Sequence, residues 1–261
     1  MTSRFLRYRK WVLRFLMLAG LLGLWQALAA AGIWNALLFP APREVADALW
    51  RGLVDRSLII ATGASLKRLL VGYGVSLAIG IPLGLLLGRI HWLDETLGLV
   101  TMGLQALPSI CWLPLAVLWF GLSEAATQFV VVVGSLMAIT SATRDGVNVI
   151  PPLYVRAARV LGARGWRLYR YVILPAAMPA VLTGAKLGWS FAWRSLMAAE
   201  LLYVSVGLGS TLMMGRELHD MPLVVAAMGI IMAIGLSADR LVFGALEALL
   251  YARWGTLRQR A

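Results

Sequence analysis

The chain has 261 residues, of which 61% are hydrophobic and only 14% charged, and its formal net charge is +12. Soluble domains carry roughly 45–50% apolar and about 25% charged residues, so the composition excludes an ordinary water-soluble fold and predicts a helical membrane protein. The basic surplus forms no stripe interleaved with exposed aromatics, which excludes a nucleic-acid binder; the arginines fall in the connections between apolar runs.

Six apolar runs follow along the chain, enough for about six spans of roughly 20 residues each in one all-α bundle, with residues 1–261 forming a single transmembrane domain. The first, Phe15–Ile33, follows a basic start at Arg4, Arg7, Arg9, Lys10 and Arg14. Ala27-Leu28-Ala29 would suit a signal-peptidase site, but the run is long for a signal peptide and carries Trp25 and Gln26 near its end, which favours a retained helix. Beyond it, Pro42 at a first helical turn with Val45, Leu49 and Leu53 at helical spacing predicts a short amphipathic helix lying at an interface.

The core runs occupy residues 69–250: Leu69–Gly88, Leu97–Phe120, Ala125–Thr143, Ala176–Tyr203 and Pro222–Leu250. Pro108 and Pro114 interrupt the second of these and predict a kinked or divided helix. Cys111 is the only cysteine, which excludes an internal disulfide, and its apolar surroundings suit a small packing residue. Eleven tryptophans suit a protein with two membrane interfaces.

With the N-terminus placed inside, sixteen basic residues fall in inside segments and six outside, at Arg43, Arg51, Arg56, Lys67, Arg68 and Arg216. The bias predicts both termini in the cytoplasm.

The longest inside connection, 144–174, has the most distinctive pattern. Pro151-Pro152 opens a short helix through Arg156, Ala157, Ala158, Arg159 and Leu161; Gly162 then supplies a left-handed stop before Ala163. A second basic amphipathic stretch, Trp166–Ile173, leads to Leu174-Pro175 and the fifth span. The pattern predicts a cytoplasmic elbow with a small-residue tip, whose Ala157 and Ala158 allow a partner close approach. Arg159, Arg164 and Arg167 suit either acidic groups on that partner or anionic headgroups.

On the fifth helix Lys186, Ser190, Trp193, Met197 and Glu200 share one stripe about 80° wide, with Arg194 at its edge. Lys186 falls near mid-depth, where an ammonium costs at least about 2.5–3.5 kcal/mol against lipid, so the stripe is expected to face the bundle interior or a wet pathway. Two roles stay open for Lys186: contact with a solute, or a structural pairing with backbone carbonyls or a neighbouring subunit. Glu200, near the outer end, is expected to bond a loop. His91 and His219 lie in opposite connections, and the sequence carries no Gly-x4-Gly-Lys-Ser/Thr phosphate loop. Lys186 and Ser190 are the nearest approach to a catalytic pair, so an intramembrane enzyme and an assembly scaffold are the rivals to a transporter.

Ala157-Ala158-x3-Gly162-x9-Val172-x-Leu174-Pro175 resembles the EAA loop of permease subunits of binding-protein-dependent ATP-binding-cassette (ABC) importers, with Arg156 in place of the glutamate and Val172 in place of isoleucine. Phe39-Pro40-Ala41-Pro42, Gly80-Ile81-Pro82-Leu83-Gly84, Trp112-Leu113-Pro114-Leu115, Trp119-Phe120-Gly121, Ala198-Ala199-Glu200-Leu201 and Gly207-Leu208-Gly209 extend the likeness, toward the branch serving sulfonates, taurine, nitrate or bicarbonate. The resemblance implies a bacterial inner-membrane homodimer with two cytoplasmic ATPase subunits that hold the ATP and Mg. It also implies an external solute-binding protein, periplasmic or lipid-anchored, and alternating access driven through the elbow. This chain would need no cofactor of its own. The solute is expected to be a small anion; a neutral or cationic heterocycle such as a vitamin precursor is the alternative.

Overall fold

A computed structural model describes residues 2–35, 37–202 and 205–254. Tyr203, the expected end of the fifth run, and Arg258 and Arg260, counted among the inside charges, lie outside the described residues. Among the described residues the regular structure is entirely helical. It comprises α1 (Thr2–Ala30), α2 (Pro42–Val54), α3 (Ser57–Leu87), α4 (His91–Ala106), α5 (Ser109–Phe120), α6 (Glu124–Asn148), α7 (Pro152–Val160), α8 (Gly165–Leu202), α9 (Leu208–Glu217) and α10 (Met221–Ala252).

Helices α3, α6, α8 and α10 are each long and apolar enough to cross a bilayer, and α4 with α5 makes a fifth crossing if the two are taken together. The expected number of six includes α1, whose apolar part Phe15–Ala30 is shorter. Trp25 of α1 donates through Nε1 to the Pro40 carbonyl at 3.0 Å. The amphipathic α2 forms where the proline and apolar spacing predicted it, with the Glu44 carboxylate accepting from the Ala41 N–H at 2.8 Å.

Two boundaries differ from expectation. Helix α3 starts at Ser57, three turns before Leu69, so Lys67 and Arg68 sit within a helix rather than in an outside segment. Those charges masked the start because hydropathy treats them as solvated, whereas Arg68 is buried and its charge is met by other helices. Asp55 begins the helix by accepting from the Ser57 N–H and Oγ, which holds its carboxyl below the usual range. The run between Leu97 and Phe120 is divided, as its prolines suggested, with a bend of 99°. Pro108 alone makes the break by forcing Leu107 into extended backbone, while Pro114 sits in the first α-helical turn that follows a 3-10 turn at Ser109–Trp112, where its missing N–H is harmless.

The centre of the bundle is α6. Along α3, Gly72 faces Val131, Gly80 faces Ile139 and Gly84 faces Thr140 and Thr143, so the two helices run parallel. Helix α8 runs the other way, with Gly188 on Ile139 and Gly184 on Ala142. A Cβ at Gly84 would stand 2.6 Å from the Thr140 carbonyl oxygen, and one at Gly188 would stand 2.5 Å from Ile139. Small residues at such crossings let backbones approach where no hydrophobic effect drives helices together. Serine pairs add polar links, Ser76 with Ser135 and Ser109 with Ser195, each at 2.7 Å between oxygens. Leu69, Tyr73, Val131, Ile139, Ala192, Trp193 and Leu196 fill the core between these three helices.

Candidate functional site

The elbow is α7 and the first turns of α8. Val155 and Ala158 are buried against Leu168, Ile173 and Ala177, which fastens α7 to the root of α8. Helix α7 stops in a Schellman turn: the Ala163 N–H donates to the Ala158 carbonyl, the Gly162 N–H donates to that of Arg159, and Gly162 has φ +85°. A side chain there would meet no atom within 4 Å, so the backbone conformation alone calls for glycine. The turn thrusts Val160 and Leu161 outward, each 87% exposed, with Arg156 and Ala157 also on the open side.

Two expectations change here. Ala158 faces the chain's own core, so the small surface open to a partner is Ala157 rather than the Ala-Ala pair. Leu174 and Pro175, half-buried, do not open the span: α8 begins at Gly165 and continues through a π-helical turn at Tyr169–Ile173. That wider turn precedes Pro175, which has no N–H to continue an α pattern.

At the α4–α5 break a cavity of about 380 Å³ opens beside α6 and α8. Gln105, Leu107, Ser109, Trp112, Met137 and Phe191 are among its walls, and among the described residues Arg194 is the only charged one lining it. The Arg194 guanidinium lies 4.8 Å from the Phe191 ring centroid, and its Nε donates to the Ser190 carbonyl. Gln105 accepts from Ser141 through Oε1, which leaves its amide hydrogens for the cavity. Lining of this kind, apolar with one cation and an amide, suits a small anion with an organic part.

The fifth-run stripe separates into four environments. Lys186 Nζ lies 3.0 Å from Asp239 and 3.4 Å from Glu247, both on α10. The expected carbonyl or neighbouring-subunit partners are thus replaced by two carboxylates of the same chain. Ser190 donates to the Lys186 backbone carbonyl and makes no bond with the lysine side chain, so no Ser–Lys dyad forms. Trp193 is buried and Met197 packs beside it in the core, whereas Ser190 and Arg194 are exposed.

Glu200 ends the stripe, buried, in a network that sequence reading caught only in part. It accepts from Ser65 Oγ, from Arg68 at 2.8 Å and from the Gly209 N–H, and so tethers the first turn of α9 rather than the expected loop. Arg68 also reaches Glu124 through a two-pronged contact and donates to the Val206 carbonyl. The missed signal was Arg68 itself, a cation embedded among apolar residues that called for acidic partners elsewhere in the chain.

The family described as binding-protein-dependent transport system inner membrane component matches residues 80–249, a stretch that contains the break, the elbow and the stripe. The chain is 35% identical to a protein named as an ABC transporter permease of Methanocaldococcus jannaschii, over 83% of each chain. It is 30% identical to one named for aliphatic sulfonates transport in Escherichia coli, over 94% of each. A riboflavin transport system permease protein of Chloroflexus aurantiacus is 33% identical over 90% of this chain and 87% of its own. These relatives are transport permeases rather than enzymes. With the elbow and the divided helix in place, the chain belongs to the family of membrane-spanning permease components of binding-protein-dependent ABC importers.

Proposed function

We propose that this chain is the channel of an ATP-driven importer for a small anion, working as a homodimer by alternating access. Two cytoplasmic ATPase subunits would supply the ATP and Mg chemistry, and an external solute-binding protein would deliver the solute. Both termini and the elbow would then lie in the cytoplasm. The observation that carries the coupling role is the elbow tip: a helix anchored by Val155 and Ala158 presents Val160 and Leu161, two apolar side chains, to the surroundings. Exposed apolar residues on a firmly seated turn suit insertion into a partner's groove.

The anion reading is supported by Arg194 in the cavity at the helix break and by the sulfonate relative. Lys186, whose charge is met by Asp239 and Glu247, recedes from the pathway into the scaffold in this reading. The riboflavin relative favours a second reading, a heterocycle stacked on Trp112 or Phe191 in the same cavity.

The test is co-purification with the ATPase together with uptake in proteoliposomes supplied with the binding protein. Leu161→Glu is expected to leave a folded membrane protein that no longer retains the ATPase. Intact co-purification would refute the elbow's role. Uptake of alkanesulfonates or taurine by the native complex, with none of riboflavin, is expected; the reverse would replace the anion by the heterocycle.

A further inference from the structure

The cations buried or half-buried among the helices are matched by acids. Arg68 meets Glu124 and Glu200, Arg144 meets Asp94, and Lys186 meets Asp239 and Glu247. At the elbow end of the bundle three exposed arginines gather at one cavity instead. A cavity of about 330 Å³ is lined by Arg89, Arg156 and Arg159, with Asn148, Ile150 and Pro152 among its other walls. Among the described residues no carboxylate lines it, and none of the three arginines has an acidic partner within 4.0 Å.

The convergence is built by the fold. Gly88 packs on Val147 and on the carbonyl of Arg144, which brings the ends of α3 and α6 together as the floor. Arg89 follows directly on Gly88. Val155, buried against the root of α8, seats α7 above that floor, and Arg156 and Arg159, three residues apart, lie on neighbouring turns of one face. Three like charges around one small cavity repel each other until an anion enters. The guanidinium fork matches phosphate oxygens, as it does carboxylates, in two-pronged contacts, and a phosphate offers oxygens to more than one fork at once.

The cavity's level in the bilayer selects the source of that phosphate. It lies where the membrane-crossing helices α3 and α6 end, and Trp92 and Tyr154, both exposed, stand next to it in the chain. Exposed Trp and Tyr at span ends mark the headgroup level, and basic pockets between helices at that level bind anionic headgroups. We propose that the Arg89–Arg156–Arg159 cavity is a binding site for the phosphate of an anionic phospholipid. Because its walls come from both the bundle and the elbow, the bound lipid ties α7 to the ends of α3 and α6.

The full chain in nanodiscs tests this, with phosphatidylethanolamine alone or mixed with phosphatidylglycerol or cardiolipin. Bound lipid is read by native mass spectrometry and stability by thermal melting. Anionic lipid is expected to stay bound and to raise the melting midpoint. The triple change Arg89→Gln, Arg156→Gln, Arg159→Gln is expected to weaken its binding about a hundredfold, roughly fivefold per arginine, and to remove the rise in midpoint. The same midpoint as wild type in the neutral lipid would show that the triple variant folds. The control triple Arg164→Gln, Arg167→Gln, Arg170→Gln is expected to keep both effects. Equal loss in the two triples would reduce the effect to general surface charge and overturn the site. An equal rise produced by inorganic phosphate in neutral nanodiscs would overturn the lipid as its source. Anionic-lipid binding unchanged in the first triple would overturn the proposal outright.

Discussion

Lys186 on α8 and Asp239 on α10 meet at 3.0 Å, and Glu247 approaches the same ammonium from two turns further along α10. Lys186→Gln would leave those two carboxylates facing one another without a cation. The variant is expected to lower the melting midpoint by several degrees and to reduce the folded yield, while uptake per folded complex stays near native. Lys186→Arg is expected to restore the yield. A fall in uptake per complex with unchanged stability would return the lysine to the pathway.

Glu200 carries a second stability prediction. Its carboxylate is buried and satisfies Arg68, Ser65 and the Gly209 N–H together. Breaking a buried pair by removing one partner costs about 3–5 kcal/mol, so Glu200→Gln is expected near the lower bound because its shape is retained. Hydrogen exchange at Gly207–Gly209 is expected to rise with it, since the N-terminus of α9 loses its tether. Protection unchanged at those amides would contradict the network's role.

Gly84 and Gly188 test the close packing around α6. Gly84→Val would drive a side chain into the Thr140 carbonyl and Thr143, and Gly188→Val one into Ile139. Both are expected to abolish folded protein in detergent. Gly103→Ala and Gly63→Ala, where a Cβ meets nothing within 4 Å, are expected to be recovered at native yield.

At the elbow, Gly162 is constrained by its backbone angle alone. Gly162→Leu is therefore expected to cost about 1–2 kcal/mol locally and to distort the tip, while the bundle folds. Retention of the ATPase should fall with it. Gly162→Asn, which tolerates the left-handed region, is expected to retain most of the binding.

Labelling settles orientation. Single cysteines at Ser57, Ser123 and Thr211 in a Cys111→Ala background are expected to react with an impermeant reagent from outside intact cells. Cysteines at Ser57 and Ser123 that label from opposite sides would break the six-span arrangement.

Local chemistry made much of this legible in the sequence. Proline followed by helical apolar spacing located α2, the proline-opened and glycine-closed stretch located α7, and Pro108 announced the divided helix. The buried ion pairs were not legible because they join residues far apart in the chain. Arg68 and Glu200 are 132 residues apart, and nothing local to either marks the other. The same blindness delayed the start of α3, since a charge is assigned to solvent until its partner is known. Stripe geometry put Arg194 at the edge of the stripe that holds Lys186, but only neighbouring helices show that Lys186 is compensated and that Arg194 lines a cavity.

The continuity of α8 makes it a lever. Helix α7 is packed onto its root at Leu168 and Ile173, while Arg194, in the wall of the cavity, rides on the same rod. Arg194 lies about 30 Å beyond the π-helical turn, so a tilt of about 10° there would carry its guanidinium some 5 Å sideways. A push on the elbow of less than a helix diameter would therefore reposition the cation in the cavity without melting a single turn of helix between them.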